Sequence, residues 1–457
     1  MKVLSMVFRF KSLQQLAALT ATALSTLALP ASPVQASPSV FPTGVTRYNP
    51  QKAYNSFILF SGSDGHTHLI DMNGHEVHQW EKSGFPAKYV DPSLVHNQKG
   101  IVGLQLSEIP GDGTHKIPGA IAGFRNRTFG YVDWSGKTLW EWGHQAPDGN
   151  ARQHHDWVRL EDGGTLLLAN QNRSIPGGAK PVLDDVIYDI GPDGHLRWTW
   201  KAGDHLIEFG FTPAQLALVL HAENPDYLHF NDMQRLGPNH WNRDGDKRFA
   251  PDNIIVDSRE ANFIAIIDPH TNKVVWRLGP NLPPRGRKDL VAPFPVDQFV
   301  GQHDAHLIAE GLPGAGNVLV FDNQGEAGYP ARPLQVAGGS RILEINPLTQ
   351  QVVWSYTGQN SGGAPWSFYS SFISSVDRLP NGNTLIDEGM NGRFFQITPS
   401  GEIVWEYVSP YTGEAPTTGE GHPTQSNWVY RIQPVPYDWA PDGTPHTETA
   451  LAVPPAP

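Results

Sequence analysis

The stretch NPLTQQVVWSY, residues 346–356, sets a polar turn, two valines and a tryptophan in a row, and close variants of it recur along the chain. They are DMNGHEVHQW (71–80), DWSGKTLWEW (133–142), GPDGHLRWTW (191–200), DPHTNKVVWRL (268–278) and TPSGEIVWEY (398–407). Turns such as Asn73-Gly74 and Ser400-Gly401 supply the left-handed residue a tight connection needs, and the apolar run into an aromatic suits a packed strand. Read at Trp80, Trp140, Trp198, Trp276, Trp354 and Trp405, the copies stand far enough apart for one four-stranded antiparallel unit each. Sheets repeated in this way close radially and leave few unpaired edges, which predicts an all-β fold, a six-bladed β-propeller over residues 54–440. Most of the tryptophans are then expected to pack blades. TPAQLALVLHAE (212–223) predicts a short helix capped by Thr212 and Pro213, and NWVYRIQPVPYDW (427–439) predicts the strand that closes the ring.

Outside the repeat, Lys2, Arg9 and Lys11 precede an apolar run that ends near VQA at 34–36, the pattern of a signal peptide over residues 1–36 that is cleaved on export. Residues 37–53 read as a Pro/Ser-rich lead-in and 441–457 as a disordered tail. The formal charge of −12 becomes more negative by three when that basic segment is removed, which argues against nucleic acid as a partner. No later stretch is apolar enough to span a membrane, so the expectation is a periplasmic or secreted protein. A cysteine count of zero excludes disulfides, thiolate metal sites and a cysteine nucleophile.

A second repeat carries the polar residues. HHDWVRLEDGGTLLLAN (154–170), NDMQRLGPNHW with DNIIVDSR (231–259), HDAHLIAEGLPGAGNVLVFDN (303–323) and SSVDRLPNGNTLIDEG (374–389) align as strand, turn and strand. The residues His155, Asn231, His303 and Ser374 then occupy matched positions, and rotation about the propeller axis gathers matched positions into a ring. His229 falls on the same side as Asn231 by strand alternation, and Arg259 ends the second strand of its blade. Asp304 and His306 alternate to the face opposite His303 and are expected to be structural, and His154 by the same parity is expected to face the neighbouring strand. His66, His68, His75 and His78, in the first blade's outer hairpin, are expected to be surface residues. Imidazoles beside a permanent cation, with no carboxylate at the matched positions, suit a tetrahedral anion, a sulfuryl or phosphoryl group, held while one imidazole acts as nucleophile or proton carrier.

The motifs LIDMNGHEVHQW, HHDWVRLEDGGTLLL, HFND with DSR, QHDAHLI with GNVLVFDN, and RLPNGNTLI with GEIVWEY resemble those of the bacterial arylsulfate sulfotransferases. The resemblance covers nearly the whole mature chain. It implies a ping-pong transfer of a sulfuryl group from an aryl sulfate to a phenol through a sulfohistidine, with no cofactor, metal or nucleotide sulfate donor. His303 would be the nucleophile, with His155, His229 and Arg259 as its catalytic partners and Asn231 and Ser374 binding substrate. Phe209, Phe211, Trp366 and Tyr369 are candidates to sandwich the aryl ring. Two other readings stay open at this stage: a quinoprotein-like propeller dehydrogenase, which calls for eight blades and a carboxylate-rich calcium site, and a non-catalytic ligand-binding propeller. A zinc hydrolase built on His155, His229 and His303 is disfavoured by Arg259, whose charge opposes a dication.

Overall fold

Leu166, Leu167, Leu168 and Ala169 are all buried, a strand with no polar break, as expected where both faces of a sheet are covered. Alternation sends Leu166 and Leu168 to one hydrophobic cluster and Leu167 and Ala169 to another. Each of the six large apolar clusters lies between two neighbouring sheets. The protein, here a computed structural model that describes residues 40–109, 125–285, 291–415 and 424–451, is the expected six-bladed propeller. The predicted signal peptide lies outside the described residues.

The innermost strands, in blade order, are Ile432–Val435, Lys88–Tyr89, Gln153–Arg159, Phe230–Arg235, His303–Leu307 and Ser375–Arg378. Ring closure uses both ends of the domain. Ile432–Val435 pairs with Phe57–Ser61 to complete blade 1 from the channel side, and Gly44–Tyr48 pairs with Ile403–Val408 on the outer edge of blade 6. The stretch expected as a disordered tail is attached along an exposed path to Leu451: Thr447 donates to Asp71, and Leu451 bridges Tyr48. The predicted helix is present as Pro213–Leu220, with a Thr212–Gln215 capping box. No helix among the described residues is long and apolar enough to cross a membrane.

The repeated tryptophan has a repeated partner. In every blade an indole N–H of the fourth strand from the channel donates to the last turn of the next blade: Trp80 to Asp133 O, Trp142 to Gly194 O, Trp198 to Asn272 Oδ1, Trp276 to Pro347 O, Trp354 to Pro399 O and Trp405 to Met72 O, at 2.6–3.1 Å. In blade 2 the donor is Trp142 in place of the expected Trp140, because Trp140 stacks on Tyr131 of its own sheet. Six indole bonds thus run around the rim, five to backbone carbonyls and one, from Trp198, to a side-chain amide, and the buried ones each contribute about 1 kcal/mol.

Candidate functional site

The inner strands of blades 3, 4 and 5 are not regular. Their pairing slips between Gln153 and Trp157, between Phe230 and Asp232, and between His303 and His306, so each carries a bulge at the polar residues of the second repeat. His155, His229 and Asp304 have positive φ values of 57°, 53° and 58°, a left-handed conformation that bulky residues rarely adopt. Bulges of this kind re-aim side chains, and such conformations persist only where surrounding contacts hold them. Here they turn His155, Asn231 and His303 into the channel end, all nearly fully buried.

His303 is held from both ring nitrogens. Nδ1 lies 2.8 Å from Asn323 Oδ1 and 3.0 Å from Gly301 O, two acceptors, so Nδ1 carries the proton. Nε2 is the lone-pair nitrogen, and it accepts the Ile373 N–H at 3.2 Å. Asn323 is itself fixed, its Nδ2 donating to Ser370 O at 2.7 Å and Ser374 Oγ at 3.1 Å. Burial and, after it, the charge of Arg259 hold the imidazole well below its ordinary pKa, so it is neutral near pH 7. Burial does the same to His155, reinforced by His229 and His154.

His155 and His229 meet with ring centroids 4.6 Å apart. His229 Nδ1 is 2.6 Å from Asp226 Oδ2, a pair spaced for a carboxylate to orient an imidazole. Phe85 and Tyr430 flank His155 at 4.5 and 5.0 Å, and Tyr430 reaches toward His303 at 6.5 Å. A cavity of about 690 Å³ between blades 1 and 2 meets the histidines at this aromatic wall, its lining including Leu106, Phe85, Ile373, Trp428 and Tyr430. Among the described residues no group of three His, Asp or Glu side chains is arranged to hold a metal ion.

A family model described as Arylsulfotransferase (ASST) matches residues 49–431. The chain belongs to this arylsulfotransferase family. A search of curated proteins returns no match. Similar solved structures include a protein of unknown function from Bacteroides caccae, at 12% identity and TM-score 0.46 over 84% of this chain and 99% of that one. Virginiamycin B lyase from Staphylococcus aureus is similar at 14% identity and TM-score 0.33, over 76% and 84% of the two chains.

Within the arylsulfotransferase fold the predicted residues have distinct places. His155, His229 and His303 converge. Asn231 is buried beside them, its Nδ2 donating to Gln302 O while its Oδ1 has no hydrogen-bond partner among the described residues. Arg259 lies within electrostatic reach of His303 and Asp226 but pairs with the adjacent Glu260, so an anion would compete with that carboxylate. Ser374 supports Asn323 and does not face the cavity. His154 is buried against both His155 and Asp185, because the bulge breaks the simple alternation assumed for it. His306 bonds the Asp304 carbonyl.

Several expectations need correction. Phe209 stacks on Phe263 in the core between blades 3 and 4, and Phe211 packs on the same core. Trp366 is 61% exposed, and Tyr369 reaches Gln324 O at 3.4 Å; none of these four lines the cavity beside the histidines. His68 is fully buried, stacked at 3.6 Å on Tyr411 between Asp64 and Glu76, because its outer hairpin is covered by the chain near residue 411. His78 stacks on Trp134 of blade 2. Sequence reasoning missed Asn323, Asp226, Phe85 and Tyr430. The blades share a register mark that identifies Tyr430: in three of them the side chain after the ring residue accepts a backbone N–H of the next blade, Asp156 from Met233, Asp304 from Val376 and Ser375 from Ile432. Counted through that series, Tyr430 occupies in blade 1 the position of His155, Asn231, His303 and Ser374.

Proposed function

We propose that the protein transfers a sulfuryl group from an aryl sulfate to a phenolic acceptor by a ping-pong route through sulfated His303. The observation that carries this reading is the fixed tautomer of His303, which is buried and neutral with Nε2 as the nucleophilic atom, next to Arg259 and the His229–Asp226 pair. In the first half-reaction the Nε2 lone pair forms a bond to sulfur as the sulfur–aryloxy bond breaks, and the Ile373 N–H bond to that lone pair is given up. Positive charge develops on the ring, and the Nδ1–H bonds to Asn323 and Gly301 O strengthen with it. The departing phenolate takes a proton from His229, whose Nδ1 is engaged by Asp226 and whose Nε2 faces the role of proton carrier.

The second half-reaction runs the same path backwards. His229 accepts the acceptor's phenolic proton, the phenolate oxygen bonds to sulfur, the Nε2–sulfur bond breaks, and His303 returns neutral. Arg259 and His155 stabilise sulfuryl oxygens in both halves, and the aryl groups sit against Phe85 and Tyr430 in the adjoining cavity. The N-terminal segment supports export to the periplasm or beyond.

Incubating 4-nitrophenyl sulfate with enzyme alone is expected to release one equivalent of nitrophenol and add one sulfuryl mass to the peptide containing His303; adding phenol then gives turnover. His303→Ala should abolish both, whereas His306→Ala should keep both. Equal activity in the two variants rejects the assignment.

A further inference from the structure

Arg431 enters the channel from the closing strand of blade 1 and is almost completely buried. Its guanidinium touches blades 3, 4 and 5 at once. Nη1 lies 2.8 Å from Asp156 Oδ2, 3.1 Å from Asp232 Oδ1 and 3.5 Å from Asp304 Oδ1, while Nη2 donates to Asn231 O at 2.9 Å. Each of those carboxylates immediately follows a ring residue, respectively His155, Asn231 and His303. Each also sits at the bulge that re-aims that residue. The neighbouring Tyr430 hydroxyl adds a bond to Asn231 O at 2.5 Å.

We propose that Arg431 is the positioning residue of the site: by tying three bulges to one rigid fork, it sets the places of His155, Asn231 and His303 relative to each other when the ring closes. This deepens the sulfuryl-transfer reading and rests on it for its catalytic consequence. Five donors in a fixed plane can serve three carboxylates and a carbonyl in a way that a lysine ammonium cannot. The groups facing the guanidinium are Asp156, Asp232 and Asp257, Asp304, Asp377 and Asp387 from blades 3 to 6, with Lys88 of blade 2 as the second cation. Removing Arg431 therefore leaves excess negative charge beside the imidazoles and takes away the group that the three bulges share.

The two consequences separate by substitution. Arg431→Met is expected to lower kcat/KM about 100-fold, mainly in kcat, the size of loss that misplacement by about 1 Å produces. It should also move the acid limb of the kcat/KM profile to higher pH, since the imidazoles then protonate more readily. Arg431→Lys restores the charge without the fork, so the acid limb should return while most of the rate loss persists. Histidine side-chain NMR of the substrate-free protein, with the His155 and His303 signals assigned by single substitution, should show both rings shifted in each variant. If the wild type transfers no sulfuryl group, the functional reading fails while those NMR shifts still test the positioning. Should Arg431→Met not fold, Asp304→Asn removes one arm of the hub with the ring closed and is expected to lower kcat/KM about tenfold. A folded Arg431→Lys with wild-type kcat/KM and unmoved His155 and His303 signals overturns the proposal.

Discussion

The outer and inner edges of the propeller follow the same symmetry and use it in opposite ways. At the rim each of six indoles bonds the next blade's last turn, from Trp80 to Asp133 around to Trp405 and Met72. At the channel the matched positions hold His155, Asn231, His303, Ser374 and Tyr430, no two consecutive ones alike. The rim repeats because each blade junction faces the same packing problem. The channel varies because its matched positions meet in one small volume, where the proposed sulfuryl transfer asks for different chemistry from different blades. The difference predicts that channel substitutions change rates and rim substitutions change stability.

The sharpest test of that division at the channel is His229→Gln, which keeps a polar side chain but removes the imidazole paired to Asp226 that we propose as the proton carrier. Turnover is expected to fall about 10²- to 10⁴-fold, the usual contribution of general acid–base catalysis, with thermal stability nearly unchanged. Donors with better leaving groups should recover part of the loss in the first half-reaction, because a stable phenolate needs no proton. A uniform loss across leaving groups would remove His229 from the proton path.

Asn323→Ala comes next. It frees His303 Nδ1 from its side-chain acceptor and leaves Gly301 O to hold the tautomer alone. A fall of about 10²-fold in the pre-steady-state nitrophenol burst rate is expected from lost orientation, while burst amplitude stays near one per site. A burst that keeps its rate and loses amplitude would mean that Asn323 serves folding instead.

At the rim, Trp276→Phe retains most of the apolar contact but deletes the N–H bond to Pro347 O. Unfolding free energy should drop by about 1–3 kcal/mol, since the buried carbonyl loses its donor, with kcat/KM within twofold of wild type. Trp354→Phe should cost less, because the carbonyl of Pro399 that receives its bond is exposed and water can replace the lost donor. Altered kinetics in either variant would show that the two edges are coupled.

This asymmetry also explains what could be read from sequence. The rim was legible because it repeats: the turn-to-tryptophan pattern recurs in each blade, and only Trp140 was chosen in place of Trp142, where two tryptophans compete. The ring at 155, 231, 303 and 374 was legible for the same reason, as a break within a repeat. What lay outside a repeat was not. Phe85 and Asp226 come from the connectors between blades, outside both repeats, and His154 meets His155 because a bulge adds a residue without altering the local pattern. Arg431 sits at the matched position of the Asp156, Asp232 and Asp304 series, but its blade is closed by a strand far away in sequence, which hid the correspondence.

The smallest expected effect concerns pH, and it again separates the edges. Asp387 is fully buried in blade 6, and neither carboxylate oxygen has a hydrogen-bond partner among the described residues. Burial, with the charges of Asp304 and Glu388 added, raises its pKa well above the ordinary value. A group raised in the folded state stabilises fully below its unfolded pKa, about 3.9, and loses that contribution as pH climbs toward the folded value. Asp387→Asn has the shape of the protonated acid and removes the loss. The variant should match wild type near pH 3.5 and exceed it by a margin that widens above about pH 4, at most about 1.4 kcal/mol per pH unit. His303 and His155 act with the opposite sign, because their depressed pKa values withdraw stability as pH falls below about 6.5, so His303→Gln should flatten only the acid side. Trp276→Phe, which touches no titrating group, should lower the whole stability curve evenly; a pH-dependent gap there, or an Asp387→Asn protein less stable than wild type at pH 8, would contradict the assignment of charge control to the channel.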